Sequence, residues 1–186
     1  TIYHGDCRNI LPRLVGIRSI VSDPPYGIGH KIERTRKTDR WAKNWDRVKN
    51  DDVPFDPRFL LGYEIKILWG ANNYSDALPP SGWLVWDKKR WGTVNQGFIA
   101  SDVDLAWVSF RNTIKVFPHL WDGYKRDSEI SEHYHPTQKP VVLMRWCIEQ
   151  IKDPGLVCDP YAGSGSTLLA AKEFGLRAVG IEIVKE

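Results

Sequence analysis

The sequence predicts an α/β fold built on a mainly parallel sheet, and three observations predict it. Short apolar runs recur along the 186 residues, with turn residues between them. One pair of runs is separated by a helix-patterned segment, the arrangement that links parallel strands. A composition of 42% hydrophobic and 26% charged residues belongs to a soluble globular chain with a real core, not to a disordered or low-complexity one. The length fits one domain, so residues 1–186 are read as a single unit.

In chain order the runs are Ser19 to Ser22, Ile65 to Trp69, Trp83 to Trp86, Leu105 to Phe110, Leu156 to Cys158 and Ala178 to Ile181. Each is too short for a helix and is bounded by turn residues, so each reads as a buried strand. Thr167 to Phe174 has helical composition and ends at Gly175, where a left-handed cap is expected, and the next strand follows at once. Val141 to Ile151 carries apolar residues on one helical face, with Pro140 at its start and Pro154 beyond its end. Gly29 to Pro57 and Asn112 to Pro136 are polar, charged and aperiodic; they read as long loops, which in a compact domain usually serve function.

Several classes are disfavoured. No run of about 18 apolar residues is present, and Thr1 to Asp6 lack the basic and apolar regions of a secretory signal. Cys7, Cys147 and Cys158 are too few and scattered for a disulfide framework or a Cys-rich metal site, so free thiols in a reducing interior are expected. The formal charge is only +3, but Lys31 to Lys49 hold eight basic residues against three acidic ones. Such a local excess suits a polyanion. Nine tryptophans supply flat rings for a core or for stacking on bases.

Three constellations carry chemistry. Asp23-Pro24-Pro25-Tyr26 follows a strand directly, which in an open α/β sheet is the carboxyl edge where ligands bind. An Asp-Pro pair alone would be an ordinary turn, yet a given tetrapeptide arises by chance at only about one position in 10⁵. A carboxylate and a backbone carbonyl aimed at the two hydrogens of an exocyclic base amine would favour the pyramidal, nucleophilic nitrogen. Asp23 and the Pro24 carbonyl have that chemistry, Pro25 stiffens the turn, and Tyr26 can stack on an extruded base.

The second constellation runs Asp159-Pro160-Tyr161-Ala162-Gly163-Ser164-Gly165 between a strand and a helix, with Glu182 closing the next strand. A glycine turn at a helix start with an acid at the following strand end fits a nucleoside-containing cofactor. Leu168 stands where a dinucleotide fingerprint needs its third glycine, and the loop lacks a Walker lysine. The third constellation, His135-Pro136-Thr137-Gln138-Lys139-Pro140, precedes the helix from Val141, which Thr137 could cap.

Together these motifs resemble the permuted β group of amino-group DNA methyltransferases, in which the Asp-Pro-Pro-Tyr motif precedes the cofactor loop, as here. Gly5-Asp6-Cys7, Trp69 to Tyr74 and Trp86-Asp87-Lys88 extend the likeness over nearly the whole chain. The resemblance implies a Rossmann-like methyltransferase fold, circularly permuted, with a seven-stranded sheet in the order 3-2-1-4-5-7-6. Ile2 to Gly5 would be the family's third strand and Val179 to Ile183 its second, with a covering helix expected to follow.

The resemblance further implies S-adenosylmethionine as cofactor. Asp6, with Cys7 beside it, would meet the adenine, Gly163 to Gly165 the methionine portion, Glu182 the ribose, and Thr137 with Lys139 the amino-acid end. Asp23 belongs to both the target and the cofactor sites. The expected reaction is methylation of adenine N6 in double-stranded DNA by base flipping, because aspartate opens the tetrapeptide where serine would favour cytosine N4. The alternatives are N4-cytosine methylation and a catalytically silent nucleic-acid-binding relative. Phosphate contacts are expected from Arg34, Arg36, Lys37, Arg40 and Lys43 of the basic stretch and from Lys115, Lys125 and Arg126. The last three lie in or beside a short target-recognition insertion, residues 111–134. A bacterial or phage-encoded cytoplasmic enzyme is implied, and a homodimer and a cognate restriction endonuclease are compatible partners.

Overall fold

A computed structural model describes residues 1–29, 49–88, 101–121, 126–129 and 137–184. Its core is an eight-stranded sheet in the order β1-β8-β7-β2-β3-β5-β4-β6. The strands are β1 (Ile2–His4), β2 (Ile17–Ser22), β3 (Ile65–Trp69), β4 (Gly82–Asp87), β5 (Val103–Val108), β6 (Ile114–Pro118), β7 (Leu156–Asp159) and β8 (Ala178–Glu182). All six runs read from the sequence are strands, and β3 has the expected bounds. The first seven positions of the order reproduce 3-2-1-4-5-7-6, with β1 as the third and β8 as the second. The two ends of the described chain therefore lie on neighbouring parallel strands, with Ile2 opposite Gly180 and His4 opposite Glu182.

Two expectations need correction. The sheet has an eighth strand: β6 pairs in parallel with β4, Leu84 opposite Lys115, inside the stretch read as a long loop. Its Ile114, Lys115 and Val116 are exposed, so this edge strand lacks the apolar run that betrays a buried one. The second concerns the helix α2 (Val141–Glu149), which Thr137 does not cap. The Glu129 carboxylate accepts from the Val141 N–H at 3.1 Å instead, a long-range cap that local pattern cannot reveal.

Strand alternation sends side chains to opposite faces, and both faces are covered. Val21, Ile67, Trp69, Ala106 and Val108 pack against α2 and α3 (Ser166–Glu173), through Leu143, Met144, Cys147 and Ala170. Ile20, Leu68, Trp107, Cys158 and Ile181 face the other way, onto Leu11, Phe55, Leu60 and Tyr74. The short helix α1 (Cys7–Ile10) contributes Cys7 to this second layer. α3 ends where Gly175 adopts φ +66°, as its position predicts. All three cysteines are free and buried. Among the described residues no helix is long and apolar enough to cross a membrane.

Candidate active site

The strand order brings the three motifs to one place. β7 and β2 are parallel neighbours, so Asp159 and Ser22 finish side by side at the carboxyl edge. The Ser22 hydroxyl donates to Asp159 Oδ1 at 2.6 Å, linking the strand before the tetrapeptide to the strand before the glycine turn. The buried Ser166 hydroxyl, at the start of α3, donates to the Lys139 carbonyl at 2.7 Å and so ties in the third motif. A narrow cleft between them is lined by Asp23, Thr137, Lys139, Asp159, Tyr161 and Gly163, among others. A larger cavity of about 290 Å³ opens beside it between α2 and α3, around Val141, Arg145, Leu169 and Glu173.

Asp23 is tightly engaged. Its Oδ1 accepts from the Tyr26 hydroxyl, and its Oδ2 accepts from the Lys139 ammonium at 2.7 Å. Lys139 also donates to the Tyr26 oxygen at 3.1 Å. Burial opposes the charge on Lys139, but the carboxylates of Asp23 and Asp104 outweigh it and raise its pKa above the ordinary lysine value. Burial, reinforced by the same two carboxylates, holds the Tyr26 hydroxyl well above the usual tyrosine pKa, so it stays a donor. The ammonium of Lys139, expected at the cofactor's amino-acid end, thus sits on the Asp-Pro-Pro-Tyr tetrapeptide.

Two supports fix Tyr26. Asp51 Oδ1 accepts from the backbone N–H groups of Tyr26 and Gly27, each at 3.1 Å. Gly70 lies under the tyrosine ring at φ +69°, where an added Cβ would stand 1.9 Å from a ring carbon. Position 70 therefore requires glycine for backbone and for space alike. The surrounding motif folds back on itself: Asn73 Nδ2 donates to the Gly70 carbonyl at 3.0 Å, and the Tyr74 hydroxyl to that of Trp69 at 2.6 Å.

The glycine turn has matching supports. Gly163 and Gly165 both have positive φ, +48° and +77°. The Gly163 N–H donates to Glu182 Oε2 at 2.8 Å, and the Val184 N–H to Oε1 at 2.9 Å. Each carboxylate oxygen keeps a lone pair for a further donor. Asp159 is buried and accepts from the Tyr161 N–H as well as from Ser22. Burial pushes its pKa up to about 6 against these hydrogen bonds. Asp6 caps α1 by accepting from the Arg8 N–H at 2.8 Å, just beyond the strand that neighbours β8. Cys7 is buried beside Tyr161, whose ring packs edge-on against Phe55 at 5.7 Å. Acids at two adjacent strand ends beside an aromatic wall fit a nucleoside's hydroxyls and base, and S-adenosylmethionine carries both.

The nucleic-acid residues are less gathered. Arg34, Arg36, Lys37, Arg40, Lys43 and Lys125 lie outside the described residues. Lys115 is exposed as the second residue of β6, four strand spacings or about 19 Å from β2, and is not brought to the tetrapeptide. Arg126 stacks on Trp121, 4.1 Å from the ring centroid. Residues missed in the sequence include Asp51 and Asp104. An acid two residues past the basic stretch, and an acid opening an apolar run, were the available signals.

This geometry agrees with the comparisons. Residues 83–186 match the family model for N6/N4 DNA methylases, more than half of the chain. The type II methyltransferase M.HindIII of Haemophilus influenzae is 50% identical over 147 residues, 78% of this chain and 40% of that enzyme. The DNA adenine methyltransferase YhdJ of Escherichia coli is 26% identical, aligned over 100% of this chain and 79% of its own. The crystal structure of M1.HpyAVI with S-adenosylmethionine shares the fold with TM-score 0.59 at 20% identity, covering 100% of this chain and 94% of that one. The chain belongs to the N6/N4 family of S-adenosylmethionine-dependent amino-DNA methyltransferases.

Proposed function

We propose that this chain methylates adenine N6 in double-stranded DNA, with the target base flipped to the carboxyl edge of β2. The observation that carries the reading is the Asp23 carboxylate, paired with Lys139 and hydrogen-bonded by Tyr26, next to the glycine turn that would hold the cofactor. Asp23 and the Pro24 carbonyl accept from the amino hydrogens, drawing the nitrogen toward the pyramidal form whose lone pair can attack. Bound S-adenosylmethionine supplies an electrophilic methyl group. Asp23 would stabilise the positive charge that the amino nitrogen gains with the methyl group, and the surplus amino proton would then pass to solvent water. The Tyr26 ring stacks on the base. Glu182 and Asp6 hold ribose and adenine, Thr137 lies toward the amino-acid end, and Lys139 touches both sites.

Aspartate at position 23 and the similarity to an adenine methyltransferase support N6 over N4. Phosphates are held by the basic stretch and by Arg126 and Lys125, and residues 111–134 contribute to target recognition. The likeness to a type II methyltransferase supports a cognate endonuclease as partner of the intact protein, alongside a homodimer. The test is incubation with mixed-sequence duplex DNA and labelled S-adenosylmethionine, followed by nucleoside analysis. Label in N6-methyladenine is expected. Label in N4-methylcytosine selects the alternative amine, and cofactor binding without any base label selects the silent relative.

A further inference from the structure

The tetrapeptide belongs to a larger charge cluster. β5 runs antiparallel to β3 and β4, so it delivers its first residues, not its last, to the edge where the parallel strands end. That reversal places Asp104 beside the site. One carboxylate oxygen accepts from Lys88 Nζ at 2.8 Å, and the other lies 3.7 Å from Lys139 Nζ. Among the described residues the charges alternate along a line: Lys88, Asp104, Lys139, Asp23. Lys139 therefore stands between two carboxylates, hydrogen-bonded to Asp23 and in a longer ion pair with Asp104.

This position poses a chemical problem. Both oxygens of Asp23 are engaged, one by the Tyr26 hydroxyl and one by the ammonium. A carboxylate clamped by an ammonium is a weaker acceptor for an incoming amine, and a fixed positive charge beside the nitrogen opposes the charge that methyl transfer creates there. Asp23 Oδ2 becomes available when Lys139 moves about 1 Å toward Asp104, closing 3.7 Å to an ordinary charge-assisted distance. We propose that Asp104 is a positioning residue of the reaction, which takes up the Lys139 ammonium as Asp23 receives the target amino group. The inference rests on the role given above to Asp23. It is consistent with the ionisation of Asp104, which burial opposes but Lys139 and Lys88 hold below the ordinary carboxylate pKa.

Asp104→Asn, Lys139→Met and the double variant are compared with wild type for kcat, DNA KM and cofactor Kd. Asp104→Asn is expected to lower kcat about tenfold or more, with KM and Kd within about threefold, because it acts on the reacting geometry and not on binding. Asp104 acts through Lys139, so the substitution is expected to have no further effect in the Lys139→Met background. A kcat of Asp104→Asn within about twofold of wild type overturns the proposal, and so does an equal loss in both backgrounds. Should Asp104→Asn fail to fold, the double variant, in which the Lys139 ammonium is not left stranded, is compared with Lys139→Met alone. Equal kcat supports the proposal and a further loss overturns it. An Asp23→Ala control separates the two levels: activity retained there removes the parent reading, whereas an inactive control with a fully active Asp104→Asn removes this inference only.

Discussion

The Ser22 hydroxyl and the Asp159 carboxylate meet at 2.6 Å across two neighbouring strand ends, 137 residues apart in the chain. The contact holds the Asp-Pro-Pro-Tyr tetrapeptide and the glycine turn in one register. Asp159 is 3% exposed, and its pKa, pushed up to about 6, makes the contact sensitive to pH.

Because the folded pKa lies above the ordinary value of 3.8, the native state holds its proton longer than the unfolded chain. The stabilising contribution of the protonated form is complete below about pH 4 and is lost as pH rises through about 6. Asp159→Asn removes this dependence. Relative to wild type, the variant is expected to gain stability between pH 4 and pH 7, by up to about 3 kcal/mol. Urea unfolding of both proteins across that range checks it, and a difference that does not vary with pH contradicts it.

Gly70→Ala is expected to displace the Tyr26 ring, since the added methyl would fall 1.9 Å from a ring carbon at a residue with φ +69°. Turnover should drop by at least about tenfold, equivalent to roughly 1.4 kcal/mol. Cofactor affinity, assigned above by proposal to other strand ends, should hold. Kinetics and calorimetry on the folded variant decide between this outcome and a loss confined to stability.

Much of this site was legible as motifs and little of it as contacts. The tetrapeptide, the glycine turn and Glu182 stand out because each follows an apolar run, and strand ends in a parallel sheet converge on one edge. The Gly70 motif was visible only as a likeness; its reason, the ring of a residue 44 positions earlier, needs the fold. Asp51 and Asp104 act through pairings across the sheet edge that no local period encodes. β6 escaped because an exposed edge strand in a polar stretch has neither an apolar run nor a clean alternation.

Glu182→Gln should weaken S-adenosylmethionine binding about tenfold, or roughly 1.4 kcal/mol. The carboxylate already accepts from Gly163 and Val184, and an amide offers one oxygen where two are used. Calorimetry reads the affinity directly. An unchanged Kd in a folded variant would place the ribose elsewhere.

Neutralising Arg34, Arg36 and Lys37 together should weaken binding to all duplex sequences alike and flatten its salt dependence. Each lost phosphate contact removes about 0.9 from the slope of log K against log salt. Titrations at several salt concentrations check this, and an unchanged slope counts against phosphate contacts by the basic stretch.

In the proposed reaction Asp23 receives the target amine and does not serve chiefly to hold the cofactor. Asp23→Ala, measured in one preparation for methyl transfer to DNA and for S-adenosylmethionine affinity, tests it most directly. Turnover is expected to fall by at least about a hundredfold, roughly 2.7 kcal/mol, with cofactor Kd within about threefold of wild type. Turnover within about tenfold of wild type, or a loss of activity matched by an equal loss of cofactor binding, would contradict it.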